Sequence, residues 1–165
     1  MLRIPFPEYL KEINSKVKEF LEKKEFKVGE MNHVLINEYK PGQGIMAHTD
    51  GPAYSPVVAT ISTGGGQLLN IRTKENKEII HSVYLEPGAL SVLHGALYSE
   101  LHEIEENLSD DISRASNFHS LSSPLENGNF LISRQTRISF TFRNVRSTRF
   151  LPKALLKTLN FDSVS

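Results

Sequence analysis

Cysteine is missing from all 165 residues. That excludes a disulfide framework and any thiolate metal site, so a bound metal must be held by histidine and carboxylate. The absence suits a reducing interior, and the expectation is a cytoplasmic or nuclear protein rather than a secreted one. No apolar run approaches the roughly 20 residues that span a bilayer, and Met1 to Pro7 lacks the apolar core of a signal peptide. Net charge is also lacking, with 19 basic against 19 acidic residues, so the chain as a whole is not a polyanion binder. Internal repeats and a convincing linker are absent too. The length and the 39% apolar content fit one domain with a real core over residues 1–165, expected as a monomer.

The charges that cancel overall are unevenly placed. Glu100 to Glu126 holds seven acids against the single base Arg114, whereas Arg134 to Lys157 holds seven bases and no acid. Two segments neutralising each other is the plain interpretation; a basic rim that attracts an anionic substrate is the other.

Residues 7–24 predict a helix. Pro7 suits a first helical position, and Leu10, Ile13, Val17, Phe20 and Leu21 form an apolar stripe at helical spacing. After Gly29 the period becomes two. Strands are expected over His33–Tyr39, Val57–Ser62, Gln67–Arg72, Ile79–Leu85 and Ala89–Leu93, then over Leu97–His102, Phe130–Ser133 and Thr136–Val145. The run Gly64-Gly65-Gly66 lacks the Lys-Ser/Thr of a phosphate loop and is expected as a hairpin connection. Residues 105–129 are acidic, rich in Ser and Asn and without periodicity, which predicts a long loop. Leu155, Leu156 and Leu159 suggest a short terminal helix. Short strands separated by Gly/Pro turns predict a mainly β fold, an antiparallel sandwich or jelly roll with an N-terminal helix.

Chemistry concentrates first in Gly44-Ile45-Met46-Ala47-His48-Thr49-Asp50-Gly51. Residues i and i+2 of an extended segment point to the same side, so His48 and Asp50 can converge on one metal ion. A second histidine from far along the chain would complete a facial triad that leaves positions open on non-haem Fe(II). The final strand carries the other pattern: Arg137, Ser139, Thr141 and Arg143 share one face, and Ile138, Phe140 and Phe142 share the other. A solvated outer face would look the same. A row lining a cleft would set two guanidiniums against a dianion, which arginine grips through paired, charge-assisted hydrogen bonds.

Taken together, Asn37-Glu38-Tyr39-Lys40-Pro41-Gly42, His48-Thr49-Asp50, Leu101-His102-Glu103-Ile104 and Arg137-Ile138-Ser139-Phe140-Thr141-Phe142-Arg143 resemble the AlkB family. Its members are Fe(II)- and 2-oxoglutarate-dependent dioxygenases built on a double-stranded β-helix, a jelly-roll or cupin-like fold. The resemblance covers residues 33–146. It implies His48, Asp50 and His102 as iron ligands and catalytic residues. Arg137 would hold the distal carboxylate of 2-oxoglutarate, and Arg143 would lie near the carboxylate that chelates iron. Asn37 and Tyr39, with Ser139 and Thr141, complete the implied co-substrate site. It further implies O2 as co-substrate and a nucleic acid substrate, with a protein substrate as the other possibility.

The six histidines leave the second ligand to be weighed. The family's usual interval before Arg137 lands near His119, in the Ser/Asn-rich loop. His102 ends an apolar strand with family-like flanks and is preferred; His94 ranks third. Three features depart from the family pattern. Pro52 stands where the DNA-repairing member has a base-reading acid, and Ser139 stands where many members have Asn. Only 47 residues precede His48, so most of the N-terminal lid over the substrate is expected to be missing. The rival to an enzyme is a non-catalytic or regulatory module that retains metal and 2-oxoglutarate binding.

Overall fold

The computed structural model of the protein describes residues 2, 3, 5–122 and 130–150. Its elements in order are β1 (Leu2–Arg3), α1 (Glu8–Lys23), β2 (His33–Tyr39), β3 (Ile45–His48), β4 (Tyr54–Gly64), β5 (Gln67–Arg72), β6 (Ile79–Leu85) and β7 (Leu90–His94), followed by α2 (Gly95–Ser99), β8 (Leu101–Ile104), β9 (Ser109–Asp111), β10 (Leu131–Ser133), β11 (Arg137–Val145) and β12 (Arg149–Phe150). Two four-stranded antiparallel sheets form the body. One runs β2-β11-β4-β7 and the other β3-β8-β5-β6. This is the mainly β, jelly-roll architecture expected from the short strands, with the N-terminal helix set against it.

α1 forms because its apolar positions recur at helical spacing. Leu10, Val17 and Leu21 are buried on one face, while Lys16–Glu12 and Lys23–Glu19 pairs lie on the solvent face at i, i+4. The helix stops where Glu25 turns left-handed at φ 63°, and the Phe26 N–H returns to the Leu21 carbonyl. The buried stripe packs on the outer face of the first sheet. Val17 and Leu21 join Met31, Ala59 and the fully buried Phe142, with Ile13, Val34, Ile61 and Phe140 around them. Phe140 and Phe142 alternate with the polar row of β11, so the helix covers one face and leaves Arg137, Ser139, Thr141 and Arg143 turned between the sheets.

The outer face of the second sheet is covered by residues 105–122, called the strap below. Where an irregular loop is expected, this part forms the short strand β9, paired with β10, and two single turns of 3-10 helix over Ile112–Arg114 and Phe118–Ser120. Ile112 and Ala115 are buried with Tyr84 and pack against Leu68, Phe118 and Ile132, which is why an acidic, aperiodic stretch is nevertheless held down. The strap also closes the open edge of β6. The Ser116 N–H donates to the Ser82 carbonyl, and the Asn117 amide accepts from the Tyr84 N–H and donates to the Tyr84 carbonyl, both at 2.9 Å.

Two connections differ from expectation. The triple glycine does not close a hairpin, because β4 belongs to the first sheet and β5 to the second. It carries the chain across the sandwich so close to its neighbours that a Cβ on Gly65 would lie 2.6 Å from the Gln135 carbonyl oxygen. Leu97–Ser99 is not extended. Gly95, at φ 60°, diverts the chain into the helical turn α2 before β8 begins at Leu101. The helix expected around Leu155–Leu159 lies outside the described residues.

Candidate metal and co-substrate site

A cavity of about 470 Å³ lies between the sheets, and Asn37, Tyr39, His48, Asp50, His102, Arg137, Ser139, Thr141 and Arg143 all line it. Its size is that of a small-molecule site. The register explains the convergence. Arg137 stands opposite Tyr39, Ser139 opposite Asn37, and on the other side Ser139 faces Ser62 and Thr141 faces Thr60. In the second sheet His48 stands opposite His102, which in turn stands opposite Ile71. The polar row of β11 is therefore a buried wall, and the solvated-face alternative is ruled out by position.

At one end the rings of His48 and His102 lie 4.4 Å apart at 53°. The His48 Nδ1–H donates to the Met46 carbonyl at 2.8 Å, a bond that leaves Nε2 with its lone pair available. His102 Nδ1 is buried without a hydrogen-bond partner. Burial foremost, then the adjacent His48 and Arg143, pushes the His102 imidazole down to about 4 against the opposing pull of Asp50, so it is neutral near pH 7. Asp50 Oδ1 is buried and has no hydrogen bond, although it forms an ion pair with Arg143. Among the described residues no three ligating side chains already surround one point; Asp50 is drawn to Arg143. The donor set nonetheless fits a divalent metal: two imidazoles and a buried carboxylate, with His102 Nδ1 lacking a hydrogen-bond partner among the described residues.

Arg137 lies in the wall formed by β2, β11 and β4. It is 2% exposed, donates to the Ser62 hydroxyl from Nε at 3.3 Å and Nη2 at 2.9 Å, and sits 5.5 Å from the centre of the Tyr39 ring. The Tyr39 hydroxyl accepts from the Asn37 amide at 3.2 Å. Among the described residues no carboxylate pairs with this guanidinium, and desolvation lowers its pKa. Arg143 differs, being held between Asp50 and the Tyr54 ring at 4.9 Å.

The other histidines stand elsewhere. His119 sits on the strap against Phe118, and His94 packs edge-on against Phe26. His81 lines the cavity from β6, and His33 lies opposite Arg143 with a buried, unpartnered Nδ1. Sequence reasoning overlooked Ser62, Tyr54 and Tyr98. The small polar residues Thr60 and Ser62, alternating with apolar ones, were the available signal on β4. It also overlooked Arg134, whose guanidinium donates to both oxygens of Asp110, at 2.8 and 2.6 Å, and joins the acidic and basic segments inside the protein.

The sequence matches the 2OG-Fe(II) oxygenase superfamily over residues 3–143. It is 35% identical over 139 residues to "Probable RNA/DNA demethylase ALKBH6" of Danio rerio, covering 74% of this chain and 58% of that protein. It is 31% identical over 116 residues to uncharacterized protein L905 of Acanthamoeba polyphaga mimivirus, covering 69% and 48%. The chain therefore spans little more than half the length of the first relative and under half of the second. The solved structure of OsALKBH1 shares the fold, with a TM-score of 0.51 at 20% identity over 86% of this chain and 66% of that one. With its paired sheets and the polar wall between them, the chain belongs to the 2OG-Fe(II) oxygenase superfamily, in its AlkB branch.

Proposed function

We propose that the protein is an Fe(II)- and 2-oxoglutarate-dependent dioxygenase that oxidatively demethylates an alkylated nucleic acid, working as a monomer in the cytoplasm or nucleus. The observation that carries this reading is Arg137. A guanidinium buried without a carboxylate costs several kcal/mol, and a cavity wall that tolerates it is built for an anion from solution. Tyr39 and Asn37 flank that position, and Ser139 and Thr141 add hydroxyls along the same wall. Arg143 lies nearer the histidines, beside the group that would chelate the metal. His48, Asp50 and His102 are the residues to hold Fe(II).

When bound, the metal with 2-oxoglutarate and O2 supplies the oxidation of a C–H bond; from an N-methyl group the product releases formaldehyde. The chain contributes a neutral His102, a His48 with its tautomer set by Met46, and walls of Leu35, Val58, Leu69 and Ile71 that exclude water. The nucleic acid assignment draws support from the name of the Danio rerio relative. Among the described residues no helix is long and apolar enough to cross a membrane.

The Asp50–Arg143 ion pair favours a second reading, a non-catalytic module that retains metal and 2-oxoglutarate binding without turnover. Anaerobic protein with Fe(II) and 2-oxoglutarate separates the cases. A visible charge-transfer band that disappears in His48→Ala is expected, followed by succinate and, from methylated oligonucleotides, formaldehyde on admitting oxygen. A band without succinate supports the binding module, and no band defeats both. Formaldehyde from methylated peptides alone overturns the nucleic acid assignment.

A further inference from the structure

Asp50 is held differently from the two histidines. His48 and His102 ride on paired strands, whereas Asp50 lies beyond the end of β3 in residues 49–53, which lack a strand partner. Two hydrogen bonds pin this loop. The Arg146 N–H donates to the Ala53 carbonyl at 3.1 Å, and the Tyr98 hydroxyl donates to the Gly51 carbonyl at 3.1 Å. Gly51 adopts φ 84°, so the chain bends sharply right after Asp50, and the acceptor that Tyr98 holds belongs to the very next residue. Tyr98 itself stands in α2, four positions before His102. The Glu100 N–H closes that turn on the Leu97 carbonyl, and β8 starts at Leu101. One hydroxyl thus ties the segment that delivers His102 to the loop that delivers Asp50.

We propose that Tyr98 is a positioning residue of the metal site, holding the Asp50 backbone through the Gly51 carbonyl against the pull of Arg143 on the Asp50 carboxylate. The proposal rests on Asp50 as a metal ligand, and the test separates the two claims. Co(II) is titrated into the metal-free full chain and followed by its visible d–d absorption, in the wild type, Asp50→Ala and Tyr98→Phe. The wild type binds, Asp50→Ala loses binding, and Tyr98→Phe binds about tenfold more weakly with an altered band, while its metal-free melting temperature stays at the wild-type value.

Tyr98→Phe binding with wild-type affinity and spectrum overturns the positioning role and leaves the Asp50 assignment intact. Wild type and Asp50→Ala behaving alike overturns both. Weaker binding that comes with an equally destabilised metal-free protein also overturns the proposal, because the hydroxyl then supports the fold at large.

Discussion

Arg134 and Arg137 lie three residues apart, both almost wholly buried, at 3% and 2% exposure. Arg134 donates to both oxygens of Asp110 and to the Gln43 and Glu105 carbonyls. Arg137 has one serine hydroxyl and the face of one tyrosine. The first is a finished internal contact that fastens the strap to the turn before β3. Among the described residues the second is charge without a counter-charge. Since an unpaired buried ion costs far more than a paired one, the contrast separates an arginine held by internal partners from one that lacks a counter-charge among the described residues.

The contrast is broken most severely from the finished side. Arg134→Ala leaves Asp110 buried and unpaired, so a loss of about 3–5 kcal/mol is expected in urea unfolding. The double substitution Arg134→Met with Asp110→Leu should recover most of that loss. A single variant as stable as wild type would mean that the pair is not structural.

Arg137→Met should do the reverse. Unfolding stability without ligand is unchanged or raised, while 2-oxoglutarate affinity, read by calorimetry, falls on the order of a hundredfold as charged hydrogen bonds are lost. Destabilisation of the ligand-free variant comparable to Arg134→Ala would erase the distinction.

Acid sharpens it further. His102 in the fold titrates at about 4 against an ordinary 6.5, so the unfolded chain binds the extra proton first. Stability from its neutral burial is complete above about 6.5 and declines as pH falls towards 4. His33, also lowered mainly by burial, acts in the same direction. Thermal melts of metal-free protein should show this slope, and His102→Asn should flatten it. Ser62→Ala is the mildest change: it removes Arg137's hydroxyl partner and should weaken 2-oxoglutarate binding by about 1 kcal/mol.

The sequence made one of the two arginines legible. Arg137 sits in strict alternation with Ile138, Phe140 and Phe142, so its face follows from the period of a strand, and the phenylalanines identify the core side. Likewise α1 and β2 show clean periodicity and emerge within a residue of expectation. Arg134 belongs to no pattern, because its partner Asp110 lies 24 residues away in a stretch whose period says nothing. By pattern alone the strap therefore reads as plain loop, and nothing in its spacing marks Ile112 as buried. The triple glycine misled for a related reason. Glycine permits tight approach in a hairpin and in a crossing between sheets alike, and only tertiary neighbours such as Gln135 decide between them. His48 and Asp50 announced themselves by spacing, yet Tyr98 did not, since it acts on a backbone carbonyl that no side-chain motif records.

Asn117 carries a consequence for how these molecules meet one another. Its amide occupies both backbone groups of Tyr84 on the outermost strand of the second sheet. An amide side chain in that place behaves as one residue of a missing neighbour strand, and it ends the sheet at β6. Without it, a free N–H and C=O would face outward beside Tyr84, a ready template for the edge of a second molecule. Concentrated Asn117→Ala should scatter light where the wild type does not. A single side chain thus helps to keep the sheet's growth direction closed between chains.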